Sequence, residues 1–440
     1  MGKTITEKIL AAHCDQDVVP GAFINARVDV AMVNELSGII SVHEFQKMGA
    51  TQLFDPKKVI MVPDHFTPAK DIRTANLVKE VKEFAQKYGA VWFEVGRAGI
   101  EHVVLLERGL VAPGDIVIGG DSHTCTYGGI GAFSTGAGST DIAAIWALGE
   151  FWMRVPESIK LIYTGKRNPW VTAKDIILET IHRIGVDGAI YGALEYCGPV
   201  VEAMPMHERF TMANMAIEAG AKSGIVAPDE TAWAWYAAKA GRDRAEELRA
   251  ERHYLFSDPD AQYEKIVEID VTSVEPQVAY PHLPENTRPI SVAARENVKL
   301  DQVMIGYCTN GWIEDLRIAA AVLRGRQVHK DTRVLIVPGS EQVYHQALKE
   351  GLIEIFHEAG CIISPSSCGA CIGGHLGVAA SGERVLTTTN RNFRGRVGAL
   401  DAEVFLAGPA IAAASAVLGR LASPEELDLV PEQVFAGVEG

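Results

Sequence analysis

Short apolar runs alternate with longer amphipathic segments along most of the chain. The runs Lys58–Pro63 (KVIMVP), Asp115–Gly119 (DIVIG) and Gln302–Gly306 (QVMIG) are typical of buried strands, because they are brief, rich in β-branched residues and bounded by turn residues. Further predicted strands are Ala90–Val95 and Arg333–Pro338. The predicted helices include Ala75–Tyr88, Ile313–Leu323 and Glu341–Ala359. This alternation predicts the α/β class with largely parallel sheets.

Two boundaries divide the chain into three predicted domains, residues 1–155, 156–288 and 289–440. A highly charged segment, Gly241–His253, is typical of an exposed helix in the second domain. The stretch Tyr280–Pro289 (YPHLPENTRP) holds three prolines and marks the second boundary. The apolar run Phe405–Gly419 contains Pro409 and is rich in alanine, so it is expected to form a buried helix rather than a membrane span.

Charge and composition exclude several classes of protein. The 440 residues include 41 Lys and Arg against 56 Asp and Glu, a net charge of −15. An acidic chain repels phosphate backbones, so no nucleic-acid partner is expected. The first residues, MGKTITEKIL, lack the apolar core of a signal peptide, and no membrane association is expected. The cytoplasm is therefore the expected location.

Polar residues that can perform chemistry follow three of the predicted strands. Asp64 and His65 follow KVIMVP, Asp121–His123 (DSH) follows DIVIGG, and Cys308–Asn310 (CTN) follows QVMIGY. In open α/β sheets, ligands bind beyond the carboxyl ends of the strands. The sequence therefore predicts a site at these three loops.

The cysteines indicate a metal site rather than a disulfide framework. Cys368 and Cys371 form a C-x-x-C pair in a small, glycine-rich segment, and Cys308 lies in its own strand-to-helix turn. Thiolates suit zinc, copper(I) and iron–sulfur clusters, and a redox pair is a further alternative. Cys361 opens the apolar run CIIS and is expected in the core. Three ligands without a fourth favour a catalytic metal with one open position.

Six motifs together resemble one known family. In chain order they are Asp64-His65, Gly120–Thr124 (GDSHT), Glu218–Glu230 (EAGAKSGIVAPDE), Cys308–Gly311 (CTNG), Cys368–Cys371 (CGAC) and Asn390–Arg396 (NRNFRGR). Their order resembles that of the aconitase superfamily over nearly the whole chain. The likeness is greatest to the large subunit of its two-chain members, of the 3-isopropylmalate dehydratase and homoaconitase type.

The resemblance implies a fold and a cofactor. The expected architecture is three aconitase-type α/β/α domains around a central iron–sulfur cluster, without the swivel domain of the single-chain members. One [4Fe–4S] cluster per chain would be held by Cys308, Cys368 and Cys371, leaving one open iron to act as a Lewis acid. The missing fourth cysteine fits this arrangement.

The resemblance also implies roles for single residues. Asp64 and His65 are similar to the family's pair that protonates the departing hydroxyl, and Asp121 and His123 are similar to a second such pair. The residues expected to order a metal-bound water are His102 and Glu195. The residues expected to bind substrate are Asn390, Arg391 and Arg396, since guanidinium groups hold carboxylates through two parallel hydrogen bonds.

By the same resemblance, the chain would be the catalytic subunit of a hydro-lyase that dehydrates and isomerises a small hydroxy di- or tricarboxylic acid. A separate small subunit would carry the swivel domain and the proton-abstracting serine. The first candidate substrate is 3-isopropylmalate, in leucine biosynthesis, and the alternatives are homoaconitate, 2,3-dimethylmalate and citramalate-type acids. An iron-responsive RNA-binding role is a remote alternative, which the charge of −15 disfavours.

Three positions depart from the family pattern. Tyr307 stands where a small serine usually precedes the cysteine, and Trp312 stands where an arginine is usual. These large side chains either reshape the pocket, cover the cluster, contact a partner or repack locally. Asn34 with Glu35 replaces a histidine followed by an acid, which keeps the acidic character. The departures leave the expected reaction class intact but make the substrate uncertain.

Overall fold

The chain folds around three larger β-sheets and one two-stranded ribbon in a computed structural model that describes residues 2–436. The first strands are β1 (Phe23–Arg27), β2 (Val30–Val33), β3 (Val59–Met61), β4 (Val91–Trp92), β5 (Ile116–Gly119), β6 (Phe133–Gly136) and β7 (Glu150–Arg154). The helices among them are α1 (Ile5–Ala12), α2 (Glu35–Lys47), α3 (Ile72–Tyr88), α4 (Glu101–Glu107) and α5 (Ser139–Leu148). A parallel sheet has the order β4-β3-β2-β5-β6, and β1 pairs with β7 antiparallel.

A second parallel sheet follows in the middle of the chain. Its strands are β8 (Ser158–Thr164), β9 (Ala193–Cys197), β10 (Ser223–Val226) and β11 (Lys265–Asp270), in the order β10-β9-β8-β11. The accompanying helices are α6 (Ala173–Ile184), α7 (Pro199–Glu202), α8 (Met206–Asn214), α9 (Glu230–Ala240) and α10 (Arg242–Glu251). The helix α10 buries only Ala245 and Leu248, as the charged sequence predicts.

The third sheet has seven strands, which are mostly parallel. They are β12 (Gln277–Ala279), β13 (Thr287–Pro289), β14 (Gln302–Gly306), β15 (Arg333–Val337), β16 (Ile362–Ile363), β17 (Arg384–Thr387) and β18 (Glu403–Leu406). Their order is β13-β12-β18-β17-β14-β15-β16, and β12 pairs antiparallel with both β13 and β18. The helices are α11 (Ile290–Ala293), α12 (Tyr307–Asn310), α13 (Ile313–Leu323), α14 (Glu341–Lys349), α15 (Leu352–Glu358), α16 (Pro409–Leu418) and α17 (Pro431–Phe435).

Burial explains why the central strands read as continuous apolar runs. Every residue of β2, β5 and β14 is buried, because helices cover both faces of the parallel sheets. Local signals set the helix ends: Asp71 caps the start of α3 through the Thr74 amide, and Gly89 ends that helix with φ 73°. The strands thus form rigid supports whose carboxyl ends carry the site loops.

The structure confirms the α/β class and corrects two predicted helices. The helix α13 has the predicted bounds, Ile313–Leu323. The predicted helix Glu341–Ala359 is two helices, because Gly351 adopts a left-handed conformation with φ 73° between them. The predicted helix Phe405–Gly419 begins only at Pro409; the first two residues end β18, and proline suits the first turn of α16.

The second predicted domain boundary, at residue 288, falls inside β13 of the third sheet. The strand β12 lies before it in sequence but is hydrogen-bonded to β18 of the third sheet, at Ala279 and Leu406. Of the prolines that suggested the boundary, Pro281 and Pro284 lie in the β12–β13 connection, and Pro289 ends β13. We therefore propose that the third domain begins before Gln277. No helix in residues 2–436 is long and apolar enough to cross a membrane.

Candidate active site

Three loops that follow parallel strands bring the candidate site residues together. Asp64 and His65 follow β3, and Cys308 lies in α12 directly after β14. After β5, Asp121 caps a 3₁₀ helix, Ser122–Ile130, and its carboxylate accepts a hydrogen bond from the His123 amide at 2.7 Å. Because each loop starts at the carboxyl end of a parallel strand, side chains from two different sheets face one small cavity.

One carbonyl joins the first loop to the C-x-x-C loop. The main-chain oxygen of Asp64 accepts the amide of Cys368 at 2.8 Å and the hydroxyl of Ser367 at 2.8 Å. These contacts link positions that are 303 residues apart in the chain. The position of Asp64 is therefore tied directly to that of a predicted metal ligand.

A buried carboxylate accepts hydrogen bonds from three main-chain amides of the same loop. Glu35, at the start of α2, accepts the amide of Asp64 at 2.9 Å, that of His65 at 3.2 Å and that of Phe66. The side chain is fully buried, and burial raises its pKa against the lowering effect of the nearby imidazole. Three donated main-chain hydrogen bonds make this loop rigid.

Asp64 and His65 form a close acid pair. The imidazole Nδ1 of His65 lies 2.5 Å from Oδ1 of Asp64, and its Nε2 lies 3.6 Å from Oδ2 of Asp121. Burial lowers the pKa of His65, but the charge of Asp64 and hydrogen bonds to Asp121 and Asp64 raise it well above its usual value. The ring is therefore an imidazolium at neutral pH and can donate a proton.

Asp121 accepts a hydrogen bond from the His102 ring and lies within ion-pair distance of His65. The Nε2 atom of His102 lies 2.9 Å from its Oδ1, and the ring of His65 approaches its other oxygen. Burial raises the pKa of Asp121, yet hydrogen bonds from His102, His123 and His65 together lower it well below its usual value. The carboxylate stays ionised and orients the histidines around it.

A buried glutamate connects His123 with Arg391. The Oε1 atom of Glu218 accepts His123 Nε2 at 2.9 Å and Arg391 Nε at 2.7 Å. Arg391 also donates to the hydroxyl of Ser122 at 3.0 Å. Burial raises the pKa of Glu218, but the Arg391 charge and the His123 hydrogen bond lower it overall. Glu218 thus fixes the orientation of a predicted substrate-binding guanidinium.

The three cysteines meet in the cavity with nitrogen donors directed at their sulfur atoms. Cys308 Sγ lies 3.4 Å from Asn214 Nδ2 and 3.6 Å from Asn390 Nδ2. The residues that line the cavity are Asp64, His65, Ile100, Glu101, His102, Asp121, His123, Cys308, Cys368, Cys371, Asn390 and Arg396. Amide donors stabilise anionic sulfur, so this donor set fits a thiolate-bound metal group.

The thiol pKa values reflect these contacts. The hydrogen bond from Cys368 and then the charge of Arg396 lower the pKa of Cys371 to about 5. The same hydrogen bond, together with burial, raises the pKa of Cys368. Burial also raises the pKa of Cys308 to about 12. The charge of Arg396 thus favours the thiolate form of Cys371, and metal binding would displace the thiol protons of the set.

Arg396 keeps a donor available for a ligand. Its Nη2 lies 3.6 Å from Cys371 Sγ, whereas its buried Nε has no hydrogen-bond partner among the described residues. A buried, unpaired guanidinium nitrogen is costly unless a ligand satisfies it. Its place in the cavity wall fits an anionic substrate group.

Comparison with known proteins identifies the family. A model of the aconitase family (aconitate hydratase) matches residues 7–419. The chain belongs to the aconitase family. Among solved structures, aconitase X of Thermococcus kodakaraensis shares the family's fold with a TM-score of 0.51 and 14% identity, over 90% of this chain and 92% of that one.

Curated family members are similar over their whole length. The 3-isopropylmalate dehydratase large subunit of Moorella thermoacetica is 55% identical over 97% of this chain and 100% of its own length. The protein of the same name from Desulfatibacillum aliphaticivorans is 53% identical with the same coverage. Large subunit 1 from Pyrococcus furiosus is 53% identical over 97% of this chain and 99% of its length.

One predicted site residue lies outside the cysteine cavity. Glu195 does not line the cavity: its carboxylate accepts the hydroxyl of Ser257 at 2.6 Å and that of Tyr263 at 3.1 Å. It lies on β9, where its side chain binds the segment after α10 instead of a water in the site. His123 contacts two carboxylates: its ring Nδ1 lies 3.5 Å from Asp121 Oδ1, and its Nε2 lies 2.9 Å from Glu218 Oε1.

Two residues that contact the predicted site residues were assigned no role from the sequence. Glu218 opens the EAGAKSG stretch that supports the resemblance, so a signal was present, but no role was inferred for it. Asn214 ends α8 in a segment without a recognisable motif, and only folding brings its amide to Cys308 and Asn390. Such a contact depends on the packing of separate sheets and leaves no local pattern.

The two aromatic departures from the family pattern have different surroundings. Tyr307 is buried with φ 67°, and burial together with Cys371 and Cys368 raises its pKa well above the usual value. Trp312 stacks on Phe210 with 5.1 Å between ring centroids. It lines a separate cavity of about 1040 Å³ that shares no residue with the cysteine cavity. Of the sequence alternatives, local repacking therefore fits Trp312, while Tyr307 borders the cysteines.

Proposed function

We propose that this chain is the large subunit of a two-chain hydro-lyase that reversibly dehydrates and isomerises 3-isopropylmalate. The observation that carries the proposal is the set of three buried cysteines beside an imidazolium and a free guanidinium donor. Full-length relatives named 3-isopropylmalate dehydratase large subunit support the choice of substrate. The activity would serve leucine biosynthesis in the cytoplasm.

The proposed cofactor is one [4Fe–4S] cluster on Cys308, Cys368 and Cys371, with one iron free of protein ligands. Support comes from the buried thiols and from the amide and guanidinium donors around them. When bound, such a cluster supplies a Lewis-acidic iron that polarises the substrate hydroxyl and an adjacent carboxylate. A protein loaded with zinc instead would lack the visible absorbance of iron–sulfur bonds.

The arginines would hold the two substrate carboxylates. Arg396 offers its buried Nε, and Arg391 offers the nitrogens that Glu218 and Ser122 leave unused. Both guanidinium groups are held by other side chains, so little side-chain entropy is lost when the substrate binds. Carboxylates held in this way would bring the carbon that bears the hydroxyl towards His65.

His65 would donate the proton that turns the departing hydroxyl into water. The paired Asp64 holds Nδ1 and keeps the ring charged, which leaves Nε2 as the donating atom. Asp121 and His102 would order the released water, because their contact at 2.9 Å lies in the same cavity. The proton on the neighbouring carbon would leave to a base of the small subunit, after which the carbon–carbon double bond forms.

The test uses the full chain, purified without oxygen and supplied with iron and sulfide, with and without a candidate small subunit. Hydration of isopropylmaleate, citraconate, dimethylmaleate, cis-aconitate and cis-homoaconitate is then measured. We expect hydration of isopropylmaleate only with the partner. Activity with a different acid would reject the substrate, and a colourless protein without bound sulfide would reject the cofactor.

Matched variants test the role of the guanidinium. The variant Arg396→Lys keeps the positive charge but loses the planar guanidinium group that donates two parallel hydrogen bonds. We expect kcat/KM to fall about 100-fold while the content of bound iron and sulfide stays the same. The exposed Arg394 lies two positions earlier in the same loop, so Arg394→Lys is the control and should retain full activity. Equal losses in both variants would contradict the assigned role.

A further inference from the structure

A lysine lies fully buried near the cysteines without any acidic partner. Lys174 is the second residue of α6, and its side chain is completely inaccessible to solvent. Its ammonium donates to the main-chain oxygen of Thr388 at 2.8 Å and to that of Thr389 at 2.5 Å. It forms no ion pair with any residue that the structure describes. Burial of an ammonium that has only neutral partners is strongly unfavourable.

Neither the helix dipole nor an ion pair with a described carboxylate stabilises this ammonium. A cation in the first turn of α6 faces the positive end of the helix dipole. Asp175 is occupied by the amides of Thr172 and Gln277. Asp315 is occupied by Asn310 and by the amide of Trp312, and burial raises its pKa to about 6.

The negative charges around the ammonium come from sulfur as well as from these two carboxylates. Burial lowers the pKa of Lys174 to about 7, and Cys308 opposes this shift more strongly than Asp315, Asp175 or Cys371 does. The geometry links the ammonium to the cysteines through Thr389, whose carbonyl it binds and whose neighbour Asn390 lies 3.6 Å from Cys308 Sγ. A thiolate-bound iron–sulfur group would keep these sulfur atoms anionic, which favours the charged form of the lysine.

The same ammonium holds the segment that leads into the substrate loop. Thr388 and Thr389 directly precede Asn390, whose Nδ2 lies 3.6 Å from Cys308 Sγ and 2.9 Å from Asn214 Oδ1. The hydroxyl of Thr388 also accepts the amide of Gly306, which precedes the cysteine turn. Lys174 thus holds two residues that support Cys308. Thr388 binds the amide of Gly306 before the cysteine turn, and Thr389 precedes the Asn390 that contacts Cys308.

We propose that Lys174 is a positioning residue that supplies the positive charge opposite the iron–sulfur group. The inference rests on the proposed function, since it requires a cluster on Cys308, Cys368 and Cys371. Its ammonium would offset the negative charge of the cluster and hold the Thr388–Thr389 segment in place. Loss of this charge would make reduction of the cluster less favourable and the release of iron faster.

The test compares reconstituted full-length protein with its Lys174→Met and Lys174→Gln variants. Glutamine can still donate hydrogen bonds to the carbonyls of Thr388 and Thr389 but carries no charge. It therefore separates the effect of the charge from the effect of the hydrogen bonds. The half-buried Lys222, which packs over the Tyr191 ring, gives the matched control Lys222→Met. The readouts are the reduction potential of the cluster, followed by electron paramagnetic resonance, and the rate of iron release to a chelator.

We expect a more negative potential in both Lys174 variants, faster iron release, and values like those of the unmodified chain in the Lys222 control. Cluster-free Lys174 variants should unfold at the same temperature as the unmodified chain or above it, because a buried charge has been removed. A Lys174→Gln holoprotein with unchanged potential and iron release would overturn the inference. Failure of the unmodified chain to bind iron and sulfide would instead overturn the proposed function.

Discussion

Replacing Glu218 by alanine should destabilise the chain and disable the site together. The carboxylate is 2% exposed and accepts His123 Nε2 at 2.9 Å and Arg391 Nε at 2.7 Å. Breaking a buried charge pair costs about 3–5 kcal/mol, and each hydrogen bond to a charged group contributes about 1.5–3 kcal/mol. Because Arg391 keeps its bond to Ser122, the expected loss of unfolding free energy is about 3 kcal/mol.

The glutamine variant refines this prediction. Glu218→Gln keeps the volume and one oxygen acceptor, so its loss of unfolding free energy should be about half as large. The lowered pKa of Glu218 means that its charge stabilises the fold above the unfolded value near 4.5 and less as pH falls through the folded value. The difference in unfolding free energy between the unmodified chain and Glu218→Gln should therefore be full at pH 7 and shrink in acid.

Urea unfolding of the cluster-free chain at pH 7 and at lower pH measures these differences. Glu230→Gln is the control, since it removes a carboxylate from an exposed ion pair with Arg249. In the reconstituted enzyme, Glu218→Ala should reduce kcat/KM about 100-fold, since Arg391 no longer has a fixed orientation. Unfolding free energy within 1 kcal/mol of the unmodified chain, with full activity, would refute the reasoning.

Three further outcomes follow from the described contacts. Asp64→Asn should move the alkaline limb of the pH–rate profile to lower pH, since Asp64 raises the pKa of His65; an unmoved limb would contradict the acid role. The pKa of Asp29 is lowered to about 2, chiefly by His13 against burial, so Asp29→Asn should remove about 2 kcal/mol of stability at neutral pH, and the difference should vanish as pH falls through about 2. Trp312→Ala should cost about 3 kcal/mol in urea unfolding, while Trp312→Phe should leave kcat/KM unchanged if this ring only packs.

The strand-end loops could be predicted from sequence because each signal is local. A short apolar run followed by polar residues identifies the ends of β3, β5 and β14, and Asp64, Asp121 and Cys308 follow from it. The break between α14 and α15 was harder, since a glycine inside a helical pattern is often tolerated. Only its left-handed conformation in the folded chain shows that the helix ends there.

Partners across the site could not be predicted, because they depend on packing between separate sheets. The segment with Glu218 was recognised, but nothing in its spacing indicates that the carboxylate meets His123 and Arg391. Glu195 illustrates the opposite case, since the resemblance assigned it to a metal-bound water, whereas its carboxylate binds Ser257 and Tyr263. Buried acids need partners, and the sequence does not say which ones they have.

The carbonyl of Asp64 that receives Ser367 and Cys368 has a consequence for the order of events during synthesis. The two sides of this contact are 303 residues apart. At 5–20 residues per second, a ribosome needs roughly 15 to 60 s to add the second side after the first. The loop that carries Asp64 and His65 therefore lacks its contact with Ser367 and Cys368 until most of the chain has been translated. Under the proposed function, a donor of iron and sulfide would therefore meet Cys308, Cys368 and Cys371 together only after most of the chain has been synthesised.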